Sequence, residues 1–272
     1  MNILSDFHLH SYFSGDCSIP TEEMIKAGIR KGLFSMCFTE HNDFDFPYTE
    51  DMKQDSFILN TDSYLYELIK LRRKYDDKIK ILFGIEIGLQ PCCTKQNVLL
   101  AKSQDFDFII GSSHLCKGAD PYYPAFFEGK NPGECCLSYF EETLENIKSF
   151  SDFDVYGHLD YIARYLPENA APYSSMDYQN ILEEILKALI EKGKGIECNT
   201  SGLRKHLATI NPAPEIIKRY RELGGEIITV GSDAHAQEDI AAGFDTAAQI
   251  LKDCGVSYYA TFEKRQPSFH KL

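Results

Sequence analysis

His8 and His10 flank a single leucine, and along an extended strand that spacing turns both imidazoles to one face. Asp233 and His235 repeat the geometry with a carboxylate and an imidazole, and His158 and Asp160 do so again. Glu86 lies in the apolar run Gly84-Ile85-Glu86-Ile87-Gly88, where an unpaired buried charge would be costly and a cation removes the cost. Together with Asp16, His41 and His114, the candidate ligands are His8, His10, Glu86, His158, Asp233 and His235. Nitrogen and oxygen donors without cysteine suit Zn²⁺, Mn²⁺ or Fe²⁺ better than a thiolate structural site. The set exceeds what one ion needs and implies two or three metals sharing a carboxylate bridge. Any one of these histidines could be an ordinary core or surface residue. Six of them at strand ends, interleaved with Glu86 and Asp233, are not independent accidents.

Donors so far apart in sequence meet only if the chain brings many strand ends to one place. Short apolar runs rich in β-branched and aromatic residues predict strands over 3–8, 34–39, 79–87, 106–111, 155–159, 195–199, 226–231 and 257–262. Amphipathic stretches between them predict helices over 21–31, 63–75, 95–103, 133–149, 178–192, 214–223 and 237–254. Thr21 reads as a capping residue, with Glu22 and Glu23 at the positive end of that helix. Gly32, Gly193 and Gly224-Gly225 follow basic-ended helices as C-cap glycines do. No repeat or Pro/Gly/Ser-rich linker divides the chain. Seven or eight strand-then-helix units in this length favour a single parallel barrel, whose strand C-terminal ends share one mouth. The first strand lacks a Gly-rich phosphate loop, which removes a dinucleotide-binding reading. Residues 42–60 and 115–132 are long, aromatic-rich connections and are expected to form ordered covers.

The net charge of −13 disfavours nucleic acid and anionic membrane as partners, though metals or arginines can reverse the potential inside a cleft. No apolar run approaches the ~20 residues of a membrane helix, and the first residues carry no signal-peptide pattern. The expected location is the cytoplasm. The 9 cysteines are scattered; the adjacent pairs Cys92-Cys93 and Cys135-Cys136 do not form C-x-x-C clusters and read as reduced packing residues.

The segments His8-Leu9-His10-Ser11, Thr39-Glu40-His41, Gly84-Ile85-Glu86, Gly111-Ser112-Ser113-His114, Gly157-His158-Leu159-Asp160 and Gly231-Ser232-Asp233-Ala234-His235 resemble, in order, the motifs of the PHP (polymerase and histidinol phosphatase) superfamily. The resemblance runs from residue 8 to 235. It implies an α/β fold, a distorted TIM-like (β/α)7 barrel, with residues 1–272 as one metallophosphoesterase domain. It further implies three divalent metal ions, Zn, Mn or Fe. His8, His10, Glu86 and Asp233 would hold the first, and Glu86 would bridge to a second held by His114 and His158. Asp16, His41 and His235 would hold the third. Aspartate at position 16, where many members have histidine, points to the histidinol phosphatase branch. Glu197-Cys198-Asn199-Thr200-Ser201-Gly202-Leu203-Arg204 resembles a stretch of that branch, as does His158-Leu159-Asp160-Tyr161-Ile162-Ala163-Arg164.

The activity implied is hydrolysis of a small phosphate monoester, with L-histidinol phosphate as the leading substrate, in histidine biosynthesis. A hydroxide bridging two metals would attack phosphorus in line, with Glu86, Asp233 and His235 at the chemistry. Arg164 and Arg204, beyond strand ends at the same mouth, could grip phosphoryl oxygens bidentately. Lys117 is a further candidate on a long loop. Cys198 reads as core packing, Asp6 as an orienting partner, and Asp160 as either an orienting group or a proton donor. His206 lies near Arg204 and could touch substrate. The alternatives are a PHP phosphoesterase acting on nucleotides or sugar phosphates, or a metal-binding regulatory module without turnover. The oligomeric state is not legible.

Overall fold

The computed structural model describes residues 3–47, 55–204 and 207–272. Seven parallel strands follow one another around the sheet: β1 (Ser5–Leu9), β2 (Ser35–Asp43), β3 (Lys80–Gly88), β4 (Phe108–Ser112), β5 (Val155–Tyr156), β6 (Gly195–Asn199) and β7 (Ile228–Gly231). The sheet curls until its ends meet. Asp233 N–H donates to His8 O at 2.7 Å and His10 N–H to Ala234 O at 2.9 Å, so β1 and the chain after β7 nearly close the barrel. Between the strands run α1 (Thr21–Arg30), α2 (Thr61–Tyr75), α3 (Thr94–Ala101), α4 (Pro132–Ser149), α5 (Gln179–Glu191), α6 (Pro214–Glu222) and α7 (Phe244–Asp253).

Strand alternation divides the residues into two layers. Outward residues such as Phe38, Phe83, Ile85, Ile109, Ile196 and Val230 pack under the helices in the main core. The inward columns read Cys37-Thr39-His41 on β2, Leu82-Gly84-Glu86 on β3 and Phe108-Ile110-Ser112 on β4. Each column is apolar or neutral at its start and polar at its C-terminal end. Phe7, Cys37, Leu82, Phe108, Ile110 and Val155 accordingly fill the barrel interior below the polar end, each fully or almost fully buried. Buried side chains of this size contribute about 1.5–3 kcal/mol each on transfer from water. That apolar floor holds the polar mouth in shape.

Three expectations are corrected. The eighth predicted strand, seen at Tyr258–Glu263 (β8), is not part of the barrel; it pairs antiparallel with Gln266–Lys271 (β9). Ala260 and Phe262 of this hairpin plug the barrel floor, so its apolar run serves a different surface. The helix predicted over 237–254 is interrupted. A 3₁₀ turn at Gln237–Asp239 precedes α7, because Ala241 N–H donates to Asp6 Oδ2 and Thr200 Oγ1 donates to Ala242 O. Those bonds tie the segment to the barrel end and take its backbone out of a helical ladder. Thr21 does not cap α1: it is the first helical residue after Pro20, and its hydroxyl donates to Ser11 Oγ. Real caps occur at Asn60 and Asn131, whose side chains accept from Ser63 N and from Gly133 and Glu134 N.

Candidate metal centre

Glu86 lies at the centre of the mouth, fully buried, with its two oxygens facing different histidines. Oε1 is 3.2 Å from His114 Nε2 and 3.0 Å from His158 Nε2, and it accepts from Ser112 Oγ at 2.6 Å. Oε2 is 3.1 Å from His8 Nε2, 2.9 Å from His41 Nδ1 and 3.7 Å from His10 Nε2. Burial alone would raise the Glu86 carboxyl. His8, His114 and His41 outweigh it and hold the group well below the ordinary carboxylate range. Glu86 is therefore an ionised carboxylate shared between two clusters.

Asp233 anchors one side. Its Oδ1 is 3.8 Å from His8 Nε2 and 3.6 Å from His10 Nε2. At the opposite rim, exposed Asp16 lies with Oδ2 3.2 Å from His235 Nε2 and 3.6 Å from His41 Nε2. All nine candidate ligands thus meet at one mouth. Four groups of three donors, each with ligand atoms within 4.8 Å, lie among them: His8/His10/Asp233, His8/Glu86/His158, His41/Glu86/His114 and His10/His41/His235.

The imidazoles are aimed by partners behind them. His8 Nδ1 lies 2.6 Å from Glu197 Oε1, and the other Glu197 oxygen accepts from His158 N–H at 2.9 Å. His114 Nδ1 lies 2.6 Å from Asp43 Oδ1. His10 Nδ1 lies 3.0 Å from Ser14 Oγ, which donates to the buried Glu40 carboxylate at 2.6 Å. With Nδ1 engaged this way, Nε2 is the ring nitrogen turned to the mouth. Two glycines make room for the pairs. A Cβ at Gly88 would lie 1.8 Å from Asp43 Oδ1, and one at Gly231 would lie 2.5 Å from Glu197 Oε1.

A divalent cation fits this donor set. His10 Nε2 is buried without a hydrogen-bond partner, an arrangement that costs free energy unless something else binds there. Burial, followed by His41 and His235, pushes the His10 imidazole well below its ordinary value, so it stays neutral as a ligand must. The Asp233 carboxyl is opposed by burial but held well down by His8, His10 and Arg164.

The mouth opens into a cavity of about 720 Å³ whose lining includes Asp16, His41, His114, His158, Asp233 and His235. Arg164 and Arg204 also line it. Arg164 is buried, with Nε donating to Asn211 Oδ1, Nη1 to Asp233 Oδ2 and Nη2 to Asn199 Oδ1. Arg204 is held more loosely, by Ser232 O at 2.7 Å and Asp239 Oδ1 at 3.2 Å. Lys117 is exposed and is not among the lining residues; its backbone N–H donates to Glu142. Asp160 faces away from the cavity, accepting from Asn211 Nδ2 and Ala213 N, and so braces the residue that holds Arg164. Asp6 accepts from Ser232 N and Oγ and from Ala241 N, supporting the turn that carries Asp233. Cys198 is buried in the core, and His206 lies outside the described residues.

Sequence reasoning missed Glu197, Asp43 and Asp120. Glu197 carried the signal used for Glu86, a carboxylate in an apolar strand. Asp43 repeats the two-residue spacing from His41. Asp120, in the 115–132 connection, lines the cavity together with Tyr122, Tyr161 and Tyr165. That connection is an ordered cover. Of 42–60, Phe46 and Phe57 line the cavity and pack at a tilt with ring centroids 4.4 Å apart, while 48–54 lie outside the described residues.

Comparison with known proteins finds that a model of the PHP domain family matches residues 6–201. A probable histidinol-phosphatase of Clostridium acetobutylicum is 33% identical over 260 residues, spanning 96% of this chain and 97% of that one. The histidinol-phosphatase of Lactococcus lactis subsp. lactis is 33% identical over 258 residues, spanning 94% and 93%. The crystal structure of a histidinol phosphate phosphatase from Lactococcus lactis subsp. lactis, complexed with Zn, L-histidinol and phosphate, superposes with a TM-score of 0.89 at 31% identity. The match covers 97% of this chain and 98% of that one.

Proposed function

The chain belongs to the PHP domain family, and we propose on that premise that it hydrolyses L-histidinol phosphate to L-histidinol and phosphate. The observation that carries the reading is Glu86, whose two oxygens face separate histidine clusters, several of whose members line a substrate-sized cavity. Three divalent ions, zinc foremost and Mn or Fe as alternatives, are part of the proposal. His8, His10, Glu86 and Asp233 would hold one, Glu86, His114 and His158 a second, and Asp16, His41 and His235 a third. When bound, such ions supply an acidified water and neutralise charge on the phosphoryl oxygens.

The chain's own residues do the rest. Arg204 offers free guanidinium N–H groups to a phosphoryl oxygen at the cavity wall, and Arg164 fixes Asp233. Glu197, Asp43 and Ser14 hold three imidazoles in one orientation, so no reorganisation is needed at the moment of reaction. Asp120, among Tyr122, Tyr161 and Tyr165, faces the end of the cavity where the cationic end of histidinol would lie. The aromatic connections exclude water from the ester.

Residues 1–272 acting as a single domain, a place in histidine biosynthesis and a cytoplasmic location belong to the same proposal. All nine cysteines are free thiols, as a reducing compartment requires. Among the described residues no helix is long and apolar enough to cross a membrane. The test is a phosphate-release screen over L-histidinol phosphate, nucleotides and sugar phosphates with added Zn²⁺ or Mn²⁺. L-Histidinol phosphate should lead in kcat/KM by ~100-fold or more, a margin of about 2.7 kcal/mol. A nucleotide or sugar phosphate in first place would overturn the substrate assignment and leave the fold and ligands standing.

A further inference from the structure

The chain segments leaving β2 and β3 meet a second time, outside the barrel mouth. Beyond Asp43 come Phe44 and Asp45; beyond Gly88 come Gln90, Cys92 and Cys93. Gln90 Nε2 donates to Phe44 O at 2.9 Å and fastens the two segments together. Cys92 Sγ and Cys93 Sγ are 3.6 Å apart, and Cys93 Sγ is 3.5 Å from Asp45 Oδ2. All three ligand atoms lie within 4.8 Å of one another.

Those separations can be compared with what a metal demands. For tetrahedral zinc, with Zn–S about 2.3 Å and Zn–O about 2.0 Å, the sulfur–sulfur edge is about 3.8 Å and the sulfur–oxygen edge about 3.5 Å. The two shorter edges of the triangle match to within a few tenths of an ångström before any ion pulls on them. Cys93 is buried, whereas Cys92 and Asp45 are exposed, so the open corner of the tetrahedron faces solvent and can be filled by water. The adjacent pair Cys135-Cys136 is a control within the same chain. It belongs to no such group among the described residues, so adjacency alone does not assemble one.

We propose that Cys92, Cys93 and Asp45 form a binding site for one thiophilic divalent cation, of the zinc or cadmium class, separate from the histidine–carboxylate centre. Two thiolates and a carboxylate supply the soft, anionic donor set such a cation prefers. Burial, then Cys92 and Asp45, keep the Cys93 thiol well above its ordinary value, so uptake displaces protons and tightens as pH rises. A bound ion would join the start of α3 to the segment carrying Phe46, which packs against Phe57 in the cavity wall. The site stands independently of the substrate assignment.

Cobalt(II) tests it in the reduced full-length protein, because a thiolate-to-cobalt charge-transfer band cannot arise from imidazole and carboxylate donors. The band should saturate at one ion per chain. Cys92→Ser, at an exposed thiol where folding is not at stake, should remove it at micromolar cobalt while leaving phosphate release at the wild-type level. Asp45→Asn should weaken cobalt affinity at this site by ~tenfold or more, the scale of losing a charged ligand interaction. No band in the wild type, or an undiminished band in Cys92→Ser, overturns the proposal.

Discussion

Arg164 Nη1 donates to Asp233 Oδ2 across 3.0 Å, while the other oxygen of Asp233 faces His8 and His10. The guanidinium therefore grips a carboxylate proposed as a metal ligand. The remaining two of its three observed bonds run to Asn211 and Asn199, so its plane is fixed by protein groups.

Arg164→Ala is accordingly expected to lower metal content together with kcat/KM, with an affinity loss of about 10–100-fold, the range for groups that support ligands. Arg164→Lys should not restore it, since an ammonium lacks the fork that reaches three acceptors. Metal analysis and kinetics on the same preparations decide. Full metal content with only a raised KM would return Arg164 to the phosphate.

Arg204 should behave differently. Its bonds to Ser232 O and Asp239 leave donors turned to the cavity, so Arg204→Ala is expected to keep its metals and lose ~tenfold or more in kcat/KM, as for one charged hydrogen bond. Lys117→Ala should stay near wild type, because that side chain is exposed beyond the cavity lining. A larger loss in Lys117→Ala than in Arg204→Ala would reverse the assignment.

Glu86→Gln removes the charge that two histidine clusters share. An amide offers one oxygen acceptor, and its NH₂ would face imidazole nitrogens. Metal content should fall at more than one site, with turnover lowered by ~100-fold or more. A variant with wild-type stoichiometry by elemental analysis would show that Glu86 is not a bridge.

The convergence of the proposed ligands was legible because strand alternation is local: His8 and His10, or Asp233 and His235, announce their shared face within three residues. The barrel followed from the rhythm of strand and helix. Which group holds which proposed ligand was not legible, because the pairings are distant. Glu197 reaches His8 across 189 residues, and Asp43 reaches His114 across 71, so no spacing rule links them. The break before α7 was hidden for the same reason, since its competitor for Ala241 N–H is Asp6, 235 residues away. Lys117 shows the limit for loops, where nothing in the sequence fixes which way a side chain leaves.

Glu197 makes the next prediction sharp. Its carboxylate serves His8 Nδ1, His158 N–H and Asn199 Nδ2 at once. Glu197→Gln keeps the shape, but the amide has only one acceptor oxygen for three neighbours. Metal affinity should fall by about 10–100-fold, with the loss in kcat largely recovered at high metal concentration. A loss of kcat that excess metal does not recover would instead indicate collapse of the strand ends.

Asp120 supplies a test by pH. Burial pushes its carboxyl up to about 6, opposed by the Tyr122 N–H and by His114. Below that value the group is neutral and cannot pair with the ammonium of L-histidinol phosphate; above it the carboxylate is ionised and can. The sign follows: KM of the wild type should fall as pH rises through about 6 and then level off. The substrate's own imidazole and phosphate titrate in the same range, so the informative quantity is the ratio of Asp120→Asn to wild type at each pH. That ratio of KM values should approach unity at pH 5 and rise to ~10 or more by pH 8, the scale of one charge-assisted hydrogen bond. Metal content should not change, because Asp120 is not in any of the donor groups. A ratio that stays flat across pH would remove Asp120 from substrate recognition and leave the tyrosines to hold that end of the cavity.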